Sequence, residues 1–408
     1  MSNNCFCSCG NKKPLDLVYD FGLMPHVNNY KLKDDKGLAP KSPLKLMVCS
    51  SCKLLQLSEM PNREDIYCDY DHISSASLAN VEHLKAISEI INNSELTNKT
   101  ILEVGCNDAT LLRHLDKRFN VYGIDPATNV YKSTKNDSFS IMHDFFDLTS
   151  VEKIKETIKN PIDIIIGINV FAHNKNYYEM FKAIRELLSD DGYAHIEVAY
   201  AVDTVMSANF DTIYHEHFCN YTLTALNNIL NANGLKISDV ERIPTQGGSL
   251  RVTAVKDSSS KAISKNVEEL LKFESENDYD KIDFYLNLSD QIQNKVDTIK
   301  SMFTYKNTNE EILIIGVPAR GVITANVCDF KNLIKAVAFD DTPDKQGRLL
   351  PGTNIQIKNP SEIEFKKYNT ACLLAWTYED NLLSRLKNYG FKGNIFIPFP
   401  IPRYVTIG

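Results

Sequence analysis

The sequence predicts an α/β protein built on a doubly wound parallel sheet, with a small cysteine-rich region before it and a second α/β region after it. An apolar strand at Thr100–Val104 runs into Gly105, and a second apolar strand ends at Asp125, twenty residues after that glycine. Residues 161–170 form a near-continuous apolar run, which is typical of a strand buried on both faces. Residues 311–321 repeat the pattern of strand, glycine loop and helix start.

The chain has 408 residues, which is long for one domain. We expect a zinc-binding domain at 1–75, the main α/β domain at 76–258 and a C-terminal Rossmann-like α/β domain at 259–408. Hydrophobic residues make up 43% of the chain and charged residues 24%, as in an ordinary soluble globular protein.

Charge and cysteine content restrict the partners and the compartment. The net charge of −7 gives no basic face for a nucleic acid. No apolar run is long enough to span a bilayer, and the first residues show no signal-peptide pattern. Ten cysteines in a long chain of this kind indicate reduced thiols, so we expect a cytoplasmic protein. The sequence leaves the oligomeric state open, with a monomer slightly favoured.

The cysteines near the N-terminus form two groups. Cys5, Cys7 and Cys9 lie within the first ten residues, and Cys49 and Cys52 form a Cys-x-x-Cys pair. Two such groups indicate a closed, tetrahedral, structural zinc site. The spacing favours Cys5 and Cys9 as the ligands from the first group, with Cys7 as the alternative. Bystander thiols without a metal are the competing interpretation.

The loop after the first strand of the sheet suggests the cofactor. A dinucleotide fingerprint requires three glycines there, because a pyrophosphate must approach the backbone closely. Here residues 106–108 are Cys-Asn-Asp, and a helix is predicted to begin at Asn107 and Asp108. A ligand with a ribose but no phosphate, such as S-adenosylmethionine, tolerates this loop, and Asp125 is placed to bind ribose hydroxyls. Glu103 suits a sulfonium or an ammonium group. A strand–turn–helix unit without a ligand is the alternative.

The apolar run at 161–170 adds residues to the same edge of the sheet. Ligands of doubly wound sheets lie at the carboxyl ends of the strands. Asn169 and His173 follow this strand and should therefore lie near the cofactor. The predicted cofactor-binding residues are Glu103, Gly105, Asn107, Asp108, Asp125, Asn169 and His173.

A cluster of ionisable side chains follows at 214–217, where Tyr214, His215, Glu216 and His217 are consecutive. In an extended backbone, His215 and His217 face one way while Tyr214 and Glu216 face the other. Histidine changes charge near neutral pH and a carboxylate can orient it, which favours general acid–base chemistry. A metal site and a pair of surface histidines at a domain junction are the alternatives.

Two glycine-containing segments carry arginines that can bind an anion. Gly247 and Gly248 permit close approach of the backbone to a ligand, and Arg251 follows them. Residues 316–321 can present backbone amides to a phosphate, with Arg320 as a planar cation. A second cofactor site in this C-terminal region is the competing interpretation.

Four segments together resemble the nucleotide-sugar C-methyltransferases. They are the cysteine groups, residues 103–108 (Glu-Val-Gly-Cys-Asn-Asp), residues 213–218 (Ile-Tyr-His-Glu-His-Phe) and residues 247–251 (Gly-Gly-Ser-Leu-Arg). The best-known members of that family act at C3 of dTDP-linked 4-keto deoxysugars. The resemblance covers nearly the whole chain, and it implies a class I methyltransferase sheet that uses S-adenosylmethionine.

The resemblance also implies roles for individual residues. The second histidine of the family's motif is regarded as the base, which corresponds to His217, and Glu216 and Tyr214 match its partners. A loop tyrosine, matched by Tyr70, enters the family's site. The family commonly has a second tyrosine two residues later, where this chain has His72. This departure puts the identity of the substrate in doubt.

Residues 316–321 and 344–352 resemble the family's C-terminal domain, which helps to hold the nucleotide sugar. The expected substrate-binding residues are therefore Arg251, Arg320 and Lys345. The resemblance implies methylation of the carbon next to the ketone of a nucleotide-linked 4-keto sugar, in deoxysugar or polysaccharide biosynthesis. An O- or N-methyltransferase, and a binding protein without catalytic activity, are the alternatives.

Overall fold

The structure is a computed structural model that describes residues 5–32, 39–68, 73–134, 139–305 and 310–408. Within these ranges the strands are β1 (Asp16–Pro25), β2 (Lys31–Leu32), β3 (Lys41–Val48), β4 (Leu55–Leu57), β5 (Thr100–Val104), β6 (Asn120–Asp125), β7 (Ser140–His143), β8 (Ile162–Ile168), β9 (Leu188–Ala199), β10 (Cys219–Asn220), β11 (Leu235–Ile243), β12 (Ser249–Lys256), β13 (Ile312–Ile315), β14 (Ala336–Phe339), β15 (Arg348–Leu349), β16 (Ile357–Lys358), β17 (Thr370–Leu373), β18 (Gly393–Ile397) and β19 (Arg403–Ile407).

The helices in the same ranges are α1 (Arg63–Tyr67), α2 (Leu78–Asn92), α3 (Thr128–Ser133), α4 (Val151–Thr157), α5 (Tyr177–Leu187), α6 (Ala201–Thr204), α7 (Leu223–Ala232), α8 (Lys265–Glu276), α9 (Ile282–Tyr305), α10 (Ala319–Val327), α11 (Phe330–Leu333) and α12 (Glu379–Asn388). Among the described residues, no helix combines the length and apolar character needed to cross a bilayer.

The N-terminal sheet has the strand order β1-β3-β4-β10 and is antiparallel. Alternate residues of β3, namely Leu44, Leu46 and Val48, are fully buried, because successive side chains of a strand point to opposite faces. The last strand, β10, comes from the middle of the sequence and pairs with β4. The N-terminal region is thereby connected to the middle region of the chain. The predicted domain boundaries at 75/76 and 258/259 stay a prediction.

The middle sheet has the order β11-β12-β9-β8-β5-β6-β7 in the described part of the chain. Strands β5 to β9 run parallel, while β12 is antiparallel to both of its neighbours. This is the doubly wound sheet that the sequence predicts. Every residue of β5 is buried, because helices and loops cover both faces of a parallel sheet.

The loop after β5 differs from the prediction of a helix beginning at Asn107 and Asp108. Turns follow β5 instead, and a short 3-10 helix appears at Leu112–His114. Gly105, Asn107 and Ala109 have φ angles of 67°, 46° and 61°. A backbone that enters the left-handed region at every second residue does not start a right-handed α-helix, which accounts for the difference.

The C-terminal sheet has the order β16-β14-β13-β17-β18-β19, parallel except for β19. Two helices, α8 and α9, precede this sheet, and α9 packs against β1 of the N-terminal sheet. Strands β2 and β15 form a short antiparallel pair, which connects the N-terminal region to the C-terminal region. Gly316 follows β13 with a φ of 70°, as Gly105 follows β5. Both glycines line one cleft, so the two parallel sheets face it with their carboxyl ends.

Candidate active site

The cleft between the middle and C-terminal sheets has a volume of about 1420 Å³. Its cofactor half is lined by residues that follow β5, β6 and β8. Its opposite half is lined by residues of the C-terminal sheet, and the 214–217 segment lies between them. Of the predicted site residues, those that line the cleft are Glu103, Gly105, Asn107, Asp125, Asn169, His173, Tyr214, Glu216, His217, Arg320 and Lys345.

Asp125 lies at the end of β6 beside the cofactor loop. One carboxylate oxygen accepts a hydrogen bond from the backbone N–H of Asn107 at 2.9 Å, and the other accepts one from the backbone N–H of Ala127, also at 2.9 Å. Burial raises the pKa of Asp125, while these two hydrogen bonds act in the opposite direction. The carboxylate is therefore fixed at the carboxyl edge of the sheet, where a ribose would lie.

Glu103 has a buried carboxylate with only 4% of the residue exposed, and its Oε2 atom has no hydrogen-bond partner among the described residues. Burial, and then the nearby charges of Asp125 and Asp108, raise its pKa well above the usual range. A bound group that donates hydrogen bonds or carries positive charge satisfies such an atom. S-adenosylmethionine carries both kinds of group, so these residues fit the cofactor.

Asp108 does not line the cleft, which corrects its prediction as a cofactor-binding residue. Its carboxylate accepts hydrogen bonds from the Thr110 hydroxyl at 2.6 Å and from the backbone N–H of Ser75 at 3.1 Å. The side-chain oxygen of Asn107 likewise accepts from the backbone N–H of Ser74 at 2.9 Å. The loop therefore anchors the segment that precedes α2, because its side chains point towards Ser74 and Ser75.

The 214–217 segment forms a turn closed by a hydrogen bond from the His217 backbone N–H to the Tyr214 carbonyl at 2.9 Å. The segment is therefore not extended, so the alternation of side chains described for an extended backbone does not apply here. In a turn, Tyr214 and His217 lie on the same side, and the tyrosine hydroxyl is 2.7 Å from Nε2 of His217. Nδ1 of His217 lies 3.1 Å from the carbonyl of Thr212. A carbonyl only accepts, so Nδ1 carries the proton and Nε2 accepts from Tyr214.

His217 is neutral in this arrangement. Burial, and then the neighbouring His173 and Arg320, lower its pKa well below the ordinary value. Burial also raises the pKa of Tyr214, so its hydroxyl keeps the proton that it donates. The rings of His173 and His217 are stacked with centres 5.3 Å apart, and His173 stacks in turn on Tyr67 at 5.7 Å. His173 therefore lies with the acid–base group, although it was predicted as a cofactor residue.

The expected orienting partner of His217, Glu216, points elsewhere. Its Oε1 accepts a hydrogen bond from the side-chain amide of Asn28 at 2.7 Å, while Thr212 and Tyr214 orient the imidazole. The physical reason is again the turn, which places residues three apart together and separates neighbours. Glu216 still lines the cleft.

Arg251 is predicted to bind a substrate anion, and the structure contradicts this. Its guanidinium lies 2.6 Å from Glu197 and 3.0 Å from Glu241, and it does not line the cleft. The register of the sheet pairs Arg251 with both glutamates across neighbouring strands. Burial alone would raise the pKa of Glu197, but the neighbouring His195 and His83 and the contact with Arg251 lower it. Arg251 therefore neutralises a buried carboxylate.

Gly247 and Gly248 lie close to other side chains of the protein. A Cβ atom on Gly247 would lie 3.3 Å from Nη1 of Arg320, and one on Gly248 would lie 2.4 Å from Cβ of Asp203. Arg320 donates through Nη2 to the carbonyl of Gln246 at 2.9 Å and lines the cleft. These glycines admit neighbouring side chains of the chain and do not form a ligand-binding loop.

Lys345 lies in the C-terminal half of the cleft. Its ammonium group donates to the carbonyl of Val317 at 2.9 Å and lies 3.3 Å from Asp340, which also accepts from the backbone N–H of Val317 at 2.7 Å. Burial alone would raise the pKa of Asp340, but Lys345 and backbone donors lower it. Tyr70 and His72 lie outside the described residues.

The metal-binding prediction requires one correction. The Sγ atoms of Cys7, Cys9, Cys49 and Cys52 all lie within 4.8 Å of one another. The distances from Cys7 to Cys52 and from Cys9 to Cys49 are both 3.6 Å, close to the sulfur–sulfur separation of about 3.8 Å in a tetrahedral site with Zn–S bonds of about 2.3 Å. These thiols fit a zinc ion. Cys7 replaces the predicted ligand Cys5, because the chain turns at residues 7–10 and directs the side chain of Cys7 inward.

Several lining residues escaped the sequence analysis. Residues of the N-terminal region reach the cleft, as do the aromatic residues after β7; they include Asn28, Tyr30, Arg63, Tyr67, Phe145 and Phe146. The guanidinium carbon of Arg63 lies 4.2 Å from the ring centre of Phe145. The position of Phe145 and Phe146 directly after a parallel strand is the signal that was available for them. No sequence signal placed Asn28 or Tyr30.

Comparisons with known proteins cover the three regions of the chain in turn. Residues 7–67 match a zinc-binding domain family, residues 79–240 a methyltransferase domain family and residues 244–402 the C-methyltransferase C-terminal domain family. The chain is 26% identical over 406 residues to the C-methyltransferase NovU of Streptomyces niveus. The aligned region covers 98% of this chain and 96% of that protein.

Solved structures with weaker similarity are methyltransferases as well. The magnesium protoporphyrin IX methyltransferase of Synechocystis PCC 6803 with bound S-adenosylmethionine is 15% identical, covering 44% of this chain and 78% of that chain with a TM-score of 0.32. The 1,6-didemethyltoxoflavin-N1-methyltransferase of Burkholderia thailandensis is 15% identical, covering 45% and 82% with a TM-score of 0.33.

The three domain families occur here in one chain and in order, and the similarity to NovU extends over nearly its whole length. The expected enzyme class, a methyltransferase, and the metal-binding character of the N-terminal region are thus confirmed. The chain therefore combines matches to a zinc-binding domain, a methyltransferase domain and a C-methyltransferase C-terminal domain, and it is similar over nearly its whole length to a C-methyltransferase.

Proposed function

We propose that this C-methyltransferase methylates the carbon next to the ketone of a nucleotide-linked 4-keto sugar, with His217 as the base. The observation that carries the proposal is the neutral imidazole of His217 in the cleft, between the cofactor residues and the cations of the C-terminal sheet. A neutral imidazole can take a proton at Nε2 once the Tyr214 hydroxyl, which donates to that atom, is displaced. The alternatives, an O- or N-methyltransferase and a protein without catalytic activity, become outcomes of the test.

The chemistry of the residues follows from their protonation. The ketone acidifies the neighbouring C–H bond, and Nε2 of His217 takes that proton once the substrate displaces the Tyr214 hydroxyl from it. Nδ1 keeps its proton and donates it in a hydrogen bond to the Thr212 carbonyl, which stabilises the imidazolium that forms. The tyrosine keeps its own proton and can donate a hydrogen bond to the enolate oxygen. When bound, S-adenosylmethionine supplies a methyl group on a sulfonium, an electrophile that needs no acid catalyst.

The C-terminal half of the cleft supports a nucleotide as the handle of the substrate. Arg320, Lys345, Arg348 and Arg385 line it, and cations with fork geometry or flexible stems suit a diphosphate. Asp340, Asp341 and Asp344 lie among them and moderate the positive charge. The methyl donor and the base would lie on one side of the sugar ring and the nucleotide on the other. This arrangement would hold the ring over His217, and such positioning is the main requirement for the transfer.

The test measures transfer of a labelled methyl group from S-adenosylmethionine to dTDP-, GDP- and CDP-linked 4-keto sugars, with carbon NMR of the product. We compare the wild type with His217→Ala, and with His215→Gln as a matched control, because His215 lies outside the cleft. We expect a carbon-methylated product that His217→Ala reduces by a factor of about 10² to 10⁴, as for loss of a general base. Oxygen- or nitrogen-linked methyl groups, or an unimpaired His217→Ala variant, would overturn the proposal.

A further inference from the structure

A side chain of the C-terminal region reaches into the methyltransferase region next to the proposed base. Trp376 follows β17, and its indole N–H donates to Oδ2 of Asp211 at 2.7 Å. Asp211 is fully buried, and its other oxygen, Oδ1, has no partner among the described residues. The indole is therefore the hydrogen-bond donor that fixes this carboxylate.

Asp211 belongs to the short turn Phe210–Thr212, and the carbonyl of Thr212 accepts the hydrogen bond from Nδ1 of His217 at 3.1 Å. That carbonyl decides which ring nitrogen carries the proton. If the turn shifts, Nδ1 loses its acceptor, and Nε2 no longer has a defined electron pair towards the cleft. A movement of Asp211 therefore changes the tautomer of His217 through the backbone of the adjacent Thr212.

Contacts from outside the methyltransferase sheet hold the same turn on other sides. The guanidinium carbon of Arg320 lies 5.5 Å from the centre of the Trp376 ring, and Arg320 donates to the carbonyl of Gln246. The ammonium group of Lys295, on α9, donates to the side-chain oxygen of Asn209 at 3.1 Å. Asn209 directly precedes the turn. The C-terminal region therefore contacts this turn both at Asp211 and at the residue before it.

We propose that Trp376 is a positioning residue for His217, whose indole N–H holds the Asp211 turn so that the Thr212 carbonyl fixes the reactive tautomer. The inference rests on the proposed function, in which His217 is the base. It gives the C-terminal region a second task besides binding the nucleotide. Arg320 links the two tasks, since it lines the cleft and stacks on the same indole.

The test compares Trp376→Phe, which keeps an aromatic ring and removes the N–H donor, with Asp211→Asn, which keeps an oxygen acceptor for the indole and removes the charge. Two measurements are made on each variant: kcat and KM for methyl transfer, and the histidine ¹⁵N NMR signals without substrate, assigned for His217 by its loss in His217→Ala. Trp376 is the single tryptophan of the sequence, so folding is checked by circular dichroism and not by fluorescence.

For Trp376→Phe we expect a decrease in kcat by a factor of about 10 to 100, with binding of S-adenosylmethionine unchanged, as for a misplaced catalytic group. Its His217 signals should shift from the single Nδ1–H tautomer to a mixture. For Asp211→Asn we expect a smaller decrease in kcat than for Trp376→Phe, because the acceptor of the indole hydrogen bond remains.

Wild-type His217 signals in Trp376→Phe would overturn the inference, as would an Asp211→Asn variant that is impaired as strongly as Trp376→Phe. The NMR measurement needs no substrate, so it tests the positioning role even if the proposed function fails. Conversely, full activity of His217→Ala would refute the role of His217 as base without affecting the tautomer result.

Discussion

His215 should make the stability of this protein depend on pH below neutrality. The residue is 2% exposed, its Nε2 lies 3.3 Å from the Ser42 carbonyl, and its Nδ1 has no partner among the described residues. Burial, and then the neighbouring His26, lower its pKa from 6.5 to about 4. The unfolded chain therefore binds a proton at a pH where the folded chain does not.

The sign and the size of the effect follow from linkage. Above pH 6.5 both states are neutral and His215 contributes nothing. As the pH falls below 6.5, the unfolded state gains a proton first, so stability is lost. With a pKa of 6.5 in the unfolded state and about 4 in the folded state, the loss at pH 5 is about 2 kcal/mol, a factor of about 30 in the unfolding equilibrium.

The assay is urea unfolding of the wild type and of His215→Gln at pH 7.5 and pH 5.0, followed by circular dichroism. Glutamine keeps a donor for the Ser42 carbonyl but does not titrate. Loss of zinc at low pH is common to both proteins, as is the burial of His26, which lowers the pKa of that residue while Asp65 raises it. We expect the wild type to lose about 2 kcal/mol more than the variant. Equal losses would refute the reasoning that burial holds His215 neutral.

Three further changes test the site. Gly105→Ala should weaken binding of S-adenosylmethionine by a factor of about 10 or more in calorimetry, because the residue has a φ of 67° and the added methyl would lie 2.9 Å from a neighbouring valine side chain. Cys7→Ser should lose bound zinc in metal analysis while Cys5→Ser keeps it; the reverse result would restore the sequence-based ligand. Arg251→Gln should lower the free energy of unfolding by about 3 kcal/mol, by leaving Glu197 with less compensation, while KM for the substrate stays unchanged. A raised KM with unchanged stability would place Arg251 at the substrate instead.

The local pattern of the sequence was sufficient for the main elements. The bounds of β5 agree with the predicted Thr100–Val104, and the apolar run at 161–170 contains β8. Both follow from burial on two faces of a parallel sheet, which leaves a continuous apolar run. The cofactor region was predictable for the same reason, since ligands of such sheets lie where the strands end.

Local pattern was not sufficient wherever a turn replaced an extended backbone. The alternation rule put His217 beside His215, whereas the turn at 214–217 puts it beside Tyr214. The choice between Cys5 and Cys7 depended similarly on one turn at the N-terminus. Residues three apart meet in a turn and residues two apart meet on a strand, and the sequence contains no strong signal to separate these cases here.

By itself, then, the sequence determined the doubly wound sheet, a loop after β5 without the glycines of a dinucleotide site, and the metal-binding character of the cysteines. Those properties depend on residue type and spacing along the chain. Only the tertiary structure decided that Arg251 pairs with Glu197, that Asn28 contacts Glu216 and that Trp376 reaches Asp211. These contacts join residues that are 54, 188 and 165 positions apart, and strand register and the packing of separate sheets bring them together.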